Sequence, residues 1–287
     1  MISGPDIVSV VLRAIGFILL FQAAGSALFV ALFIPRLHDS TARIRRIGTL
    51  AAVAAIVVLC AHYSLEAARM SGDFGGMLDA SLQGLVLRSS TSEALALRLA
   101  GMGLVVVSLR MPAARGRAIG VMGALLAAIA FTLTGHTSVS AERAILAPNL
   151  LAHVLIGMFW FGSLLPLWLV SARETRATAA SAIEAFSRTA VWLVPLLLVA
   201  GLLMTAMLVP GWSTFGQPYG ELLIAKLILF AGLMGLAAAN KRRFGPGIAQ
   251  GLPSAAPRFR ATVAAEAVLI AIVLAVTACL TAFFSPE

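Results

Sequence analysis

The sequence predicts an all-α fold, a polytopic membrane helix bundle of about eight transmembrane helices with both termini on the outer side. Three observations predict it. Of the 287 residues 60% are hydrophobic and only 11% are charged, where soluble domains carry roughly 25% charged residues. Mean hydropathy is +0.99, so more apolar surface is present than one soluble core can hide. The apolar residues also fall into runs of the ~20 residues needed to cross the hydrocarbon.

The runs can be taken in order. The first covers 7–34. No Lys or Arg precedes it and it is too long for a signal-peptide core, so it reads as a retained helix. The second covers 47–66. The third, 91–110, is opened by Ser90-x-x-Glu93, which has the form of a capping box. The fourth covers 118–136. The fifth, 148–170, begins with Pro148, a residue suited to the first helical position. The sixth, 188–209, contains Pro195, where a kink is expected. The seventh and eighth cover 221–239 and 262–284. Arg, Pro, Gly and Ser punctuate the runs. With no internal repeat and no soluble segment, 1–287 reads as a single transmembrane domain.

The formal net charge is +9, with a pI near 11.1. Basic residues on that scale can mark a nucleic-acid binder, but here they sit in alternate short loops. One set of loops carries Arg36, Arg43, Arg45 and Arg46; Arg110, Arg115 and Arg117; Arg173, Arg176 and Arg188; and Lys241, Arg242, Arg243, Arg258 and Arg260. The other set has only Arg69, Arg88 and Arg143, beside Glu66, Asp73, Asp79, Glu93, Glu142 and Glu221. The positive-inside rule makes the first set cytoplasmic, puts both termini outside, and excludes a nucleic-acid partner.

Ionisable groups within a span are costly and are functional candidates by default. Counting ~1.5 Å per residue from the basic loops places His62 at roughly 24 Å, His136 at roughly 28 Å and His153 at roughly 30 Å. Three of the four histidines thus share one outer layer, while His38 belongs to a basic loop. Imidazoles at one depth point to a metal site, and thioethers add soft ligands for Cu(I). Met204, Met207 and Met158 lie near that layer. Glu66, four residues after His62, is placed to orient its ring. Lys226 lies in the seventh span near the same layer, with Glu66 and Glu221 as candidate partners. Arg98 and Gln22 are expected to face the bundle interior, and Glu266 lies in the cytoplasmic half of the last span. A polar path from Glu66 to Glu266 and a structural network are both open. Cys60 and Cys279 read as small buried apolar side chains.

Several of these residues resemble a known family. Gly135-His136 and the stretch His153 to Pro166, containing Phe159-Trp160-Phe161-Gly162, are similar to the histidine-plus-FWxGxLxPL segment of the copper resistance protein D family (CopD). Phe186-Ser187-Arg188, Tyr219-Gly220 through Lys226, Asn240 to Phe244 and Glu266 extend the likeness. Thr91 with Arg98 fits more loosely. The resemblance implies a bacterial inner-membrane protein of copper resistance or uptake, which accepts copper from a periplasmic CopC-like protein. It carries over metal ligation to His136 and His153, whereas His62 rests on depth.

The expected function is therefore copper binding and transport, without enzymatic activity. No GxxxxGK[ST] loop is present to couple it to ATP. Haem ligated by the histidines, or copper delivery without transport, are the alternatives. Oligomeric state is open.

Overall fold

The computed structural model describes residues 3–209 and 211–283, and for residues 113, 136, 137 and 212 only the backbone. The described residues form helices and turns. Eight of the helices are long and apolar enough to cross a membrane. They are α1 (Gly4–Phe33), α2 (Thr41–Ser64), α3 (Ser90–Arg110), α4 (Ala113–Ile129), α5 (Arg143–Arg173), α6 (Arg176–Leu208), α7 (Pro218–Ala239) and α8 (Ala255–Phe283). Short helices cover Glu66–Ser71, Phe74–Leu78 and Ala80–Leu87 in the long α2–α3 connection, and His136–Val139 between α4 and α5.

Most helices begin before, or run beyond, the apolar stretches that predict them. The segment of Arg176 to Arg188, expected as loop, is the first part of α6, leaving Glu174 and Thr175 as the whole connection. Its polar residues interrupt the apolar pattern but still form helix, because hydropathy reports solvent and not backbone geometry. Two terminal signals also differ. Ser89, not Ser90, caps α3, and its side chain makes no cap hydrogen bond. The hydroxyl donates instead to the Val86 carbonyl at 2.7 Å. Pro148 lies inside α5, which starts at Arg143. A capping box does form at α1, where Ser3 and Asp6 satisfy each other's backbone N–H groups.

Helices α1 to α4 close a ring in which each packs on the next and α4 returns to α1. α5 lies against α1 on the outside of that ring, α6 packs on α5, α8 packs on both α1 and α5, and α7 packs on α8. α1 and α5 are thus the most enclosed spans, while α6 and α7 face mostly outward. The α1–α5 contact is made backbone to backbone. A Cβ on Gly25 would lie 2.6 Å from the Gly162 Cα, and one on Gly162 would lie 2.7 Å from the Phe21 carbonyl oxygen. Close approach through small residues is the usual substitute for hydrophobic driving force between helices in lipid.

The face carrying the basic loops is tied together by carbonyl and carboxylate caps. Arg45 donates to the carbonyls of Leu109 (3.1 Å) and Met111 (2.5 Å), closing the C-terminus of α3. Glu174, just after α5, accepts from the Ser40 hydroxyl (2.5 Å), the Ser40 N–H (2.8 Å) and the His38 N–H (3.1 Å). Burial pushes this carboxyl up, but the Ser40 hydroxyl and the backbone N–H groups of Ser40, Asp39 and His38 outweigh it and hold the group below the usual carboxylate range. The His38 side chain is exposed on this face.

Candidate functional site

The histidines near the opposite face have different surroundings. His153 projects from α5 onto α6, with Nδ1 3.0 Å from the Leu197 carbonyl oxygen. A carbonyl can only accept, so Nδ1 carries the proton and the Nε2 lone pair is left available. One turn earlier on the same face, Asn149 donates to the Ala200 carbonyl at 2.8 Å. The pair stitches α5 to α6, and Gly201 lies beside the ring, where an added Cβ would be 3.3 Å from His153 Cε1. Leu197, Gly201 and Met204 follow one face of α6 at helical spacing, which sets half-buried Met204 one turn beyond the imidazole. Met207 is half-buried, and Met158 is fully enclosed in the core.

Lys226 is half-buried on α7. Neither Glu66 nor Glu221, the expected partners, pairs with it, and no carboxylate among the described residues does. Glu66 is out of reach because α7 packs mainly on α8, away from the short helix Glu66–Ser71, and Glu221, five residues before Lys226, lies on another face of the same helix.

His62, near the end of α2, belongs to a polar network on α1. Nε2 is 3.1 Å from the hydroxyl of fully buried Ser9 and accepts from Arg13 Nε at 3.5 Å. Nδ1 lies 3.9 Å from Glu66 Oε1, although the helix breaks between the two residues at Leu65. Arg69 joins this network, pairing with Asp6 (3.1 Å) and Glu66 (3.3 Å). Arg13 also donates to the Thr281 carbonyl at the end of α8, at 3.2 Å. The His62 ring thus uses Nε2 as an acceptor, in contrast to His153. Arg98 sits with its Cζ 4.9 Å from the centre of the Phe131 ring, and its Nε is buried without a hydrogen-bond partner. Gln22 faces inward, donating to Ser26 and to the Gly162 carbonyl.

The side chain of His136 lies outside the described residues; its backbone opens the one-turn helix His136–Val139. Among the described residues, no three of His, Cys, Asp and Glu come together in a group able to hold a metal ion. Cys60 is exposed on the outer surface of α2 and Cys279 is half-buried. The expectation that both are buried is thus corrected for both, most clearly for Cys60. An apolar run crossing lipid has an outer side, and a thiol is tolerated there.

A second polar node lies towards the basic face. Glu266 of α8 accepts from Asn240 Nδ2 at 2.6 Å and from Trp160 Nε1 at 3.4 Å, and Thr262 donates to Asn240 Oδ1 at 2.5 Å. Asn240 opens a single π turn, Asn240–Phe244, at the end of α7. Four polar side chains from α5, α8 and the end of α7 thus converge. Arg13, Asn149 and Thr262 escaped the sequence reading. A lone arginine in an apolar run and the Asn149/His153 spacing of four were the available signals, whereas nothing local links Asn240 to Glu266.

Comparison with known proteins places both halves of the chain. A family model described as "Copper resistance protein D" matches residues 180–280. One described as "Copper resistance protein D-like, N-terminal domain" matches residues 4–143. The unmatched stretch between them contains most of α5. No curated protein and no solved structure matches the chain.

Proposed function

Because the chain belongs to the copper resistance protein D family, we propose that this multi-pass membrane protein binds copper within the bundle and carries it across the membrane. Its binding site lies near the face that bears the termini. The observation that supports this reading best is the His153 imidazole. Its Nδ1–H is spent on the Leu197 carbonyl, so Nε2 is a preset neutral ligand of the kind copper takes. His136 is proposed as a second ligand, with Met204, on the facing side of α6, as a soft third. His62 is assigned to the network with Arg13 and Ser9, because a cation bound at Nε2 would displace a guanidinium.

The positive-inside rule orients the basic loops to the cytoplasm. Copper then enters from the outer face of a bacterial inner membrane, supplied by a CopC-like partner.

The ligand assignment is tested by copper titration of the purified protein and of the single variants His153→Ala, His136→Ala and His62→Ala, each checked for helicity. His153→Ala and His136→Ala are expected to weaken binding at least ~10-fold, and His62→Ala to leave it nearly unchanged. Equal affinity in all four proteins would sink the assignment. Copper flux into proteoliposomes separates transport from delivery, since a delivery factor gives no flux above empty vesicles.

A further inference from the structure

The buried carboxyl of Glu266 and the groove beside it have no part in the copper site proposed above. α6 and α7 are barely in contact along the membrane, and are held apart by α5 and α8 behind them and by the short helix Gly245–Ala249 at the basic face. A groove of about 280 Å³ opens between them. Its walls are apolar, including Phe186, Val194 and Met234, and Trp160, Asn240 and Glu266 lie along it. At the basic end the exposed Lys241 and Arg242 line the same groove.

Glu266 is only 3% exposed. Both its oxygens are met by neutral donors, Asn240 and Trp160. No cation among the described residues pairs with it. Its neighbours on α8 (Thr262), on α5 (Trp160) and at the end of α7 (Asn240) carry no charge, and Lys241 and Arg242 are the charged residues of the groove. An ionised carboxylate removed from water without a counter-ion is costly even when hydrogen-bonded. Such a group inside a membrane protein either finds a cation or carries a proton. The π turn that positions Asn240 is itself a local departure from α geometry, of a kind frequent at functional sites.

We propose that Glu266 is a proton-binding site, loading and unloading through the groove between α6 and α7 from the basic face. The proton sits on a carboxylate oxygen. When it leaves, the charge is held by the Asn240 amide and the Trp160 indole N–H. This proposal stands apart from the copper site, and failure of the copper titration leaves it intact.

The experiment is infrared difference spectroscopy of the protein in lipid nanodiscs across pH, for wild type and for Glu266→Gln. A protonated-carboxyl C=O band is expected in wild type at low pH. It should disappear on raising pH, shift in heavy water, and be missing in Glu266→Gln. No band assignable to Glu266, or a band that neither titrates nor exchanges, overturns the proposal. Should Glu266→Gln fail to fold, Trp160→Phe provides the second reading. Loss of one donor to the ionised form moves the midpoint of the same band to higher pH, and an unmoved midpoint overturns the assignment.

Discussion

At the scale of single residues, charge and hydrogen-bond partners decide what each polar group does. Glu174 sits outside the spans, and its carboxylate is held in the ionised form by the His38–Ser40 loop. Its folded pKa is depressed, so the stabilisation is present above the ordinary glutamate value and is lost as pH falls through the folded value. Glu174→Gln should therefore cost about 1 kcal/mol near neutral pH, allowing for partial exposure. The gap between the two melting curves should narrow below the ordinary glutamate value and close once pH has fallen through the folded one. A gap independent of pH would show that the carboxylate charge is irrelevant. Lys226 is the other informative residue. Its charge lies at the depth the sequence gives the proposed site, and a like charge near a bound metal is worth about 1 kcal/mol in a partly screened interior. Lys226→Met should then tighten copper binding ~5-fold in a competition titration, and unchanged affinity would remove Lys226 from the site. The types and depths of these residues were readable from the chain. Their partners were not, because a ring's hydrogen bond depends on a helix far away in sequence, as the His153–Leu197 bond does.

At the scale of helices, the spans were legible because lipid demands long apolar runs with every backbone group satisfied internally. Their ends were less so, as the Arg176 start of α6 and the Arg143 start of α5 demonstrate. Gly162 belongs to a stretch noted for its resemblance to a family, but its physical reason is the crossing with α1. Gly162→Ala should lower stability by about 1–3 kcal/mol, since the added methyl meets backbone that cannot move aside. Gly103→Ala is the matched control, with nothing within 4 Å of the new Cβ. It should be neutral or slightly stabilising by helix propensity. Thermal unfolding of the two variants in one detergent compares them directly, and equal losses would mean that the α1–α5 contact is looser than the helix backbones imply.

At the scale of the whole molecule, the asymmetric basic loops predict one orientation for all eight spans. Reporter fusions after residue 287 should be active with a reporter that works only outside the cytoplasm and dark with one that works only inside it. Fusions after Arg115 should do the reverse. The same result at both points would break the eight-span topology. The molecule is also uneven in its packing. A closed ring of α1 to α4 is built against a core helix, α5, whereas α6 and α7 stand apart at the lipid boundary. That unevenness creates the groove, and no hydropathy pattern announces it, because a span facing lipid and a span facing protein are both apolar.

What the sequence by itself determined was the solvent, the number of spans, the family likeness and the polar residues worth watching. All of these follow from composition, run length and local motif. Tertiary structure alone decided which imidazole keeps a free nitrogen, which one is tied to an arginine, and that Glu266, Asn240 and Trp160 meet. Each of those outcomes depends on how helices distant in sequence are rotated and stacked, and between apolar helices in lipid that choice rests on small-residue contacts and a few buried hydrogen bonds.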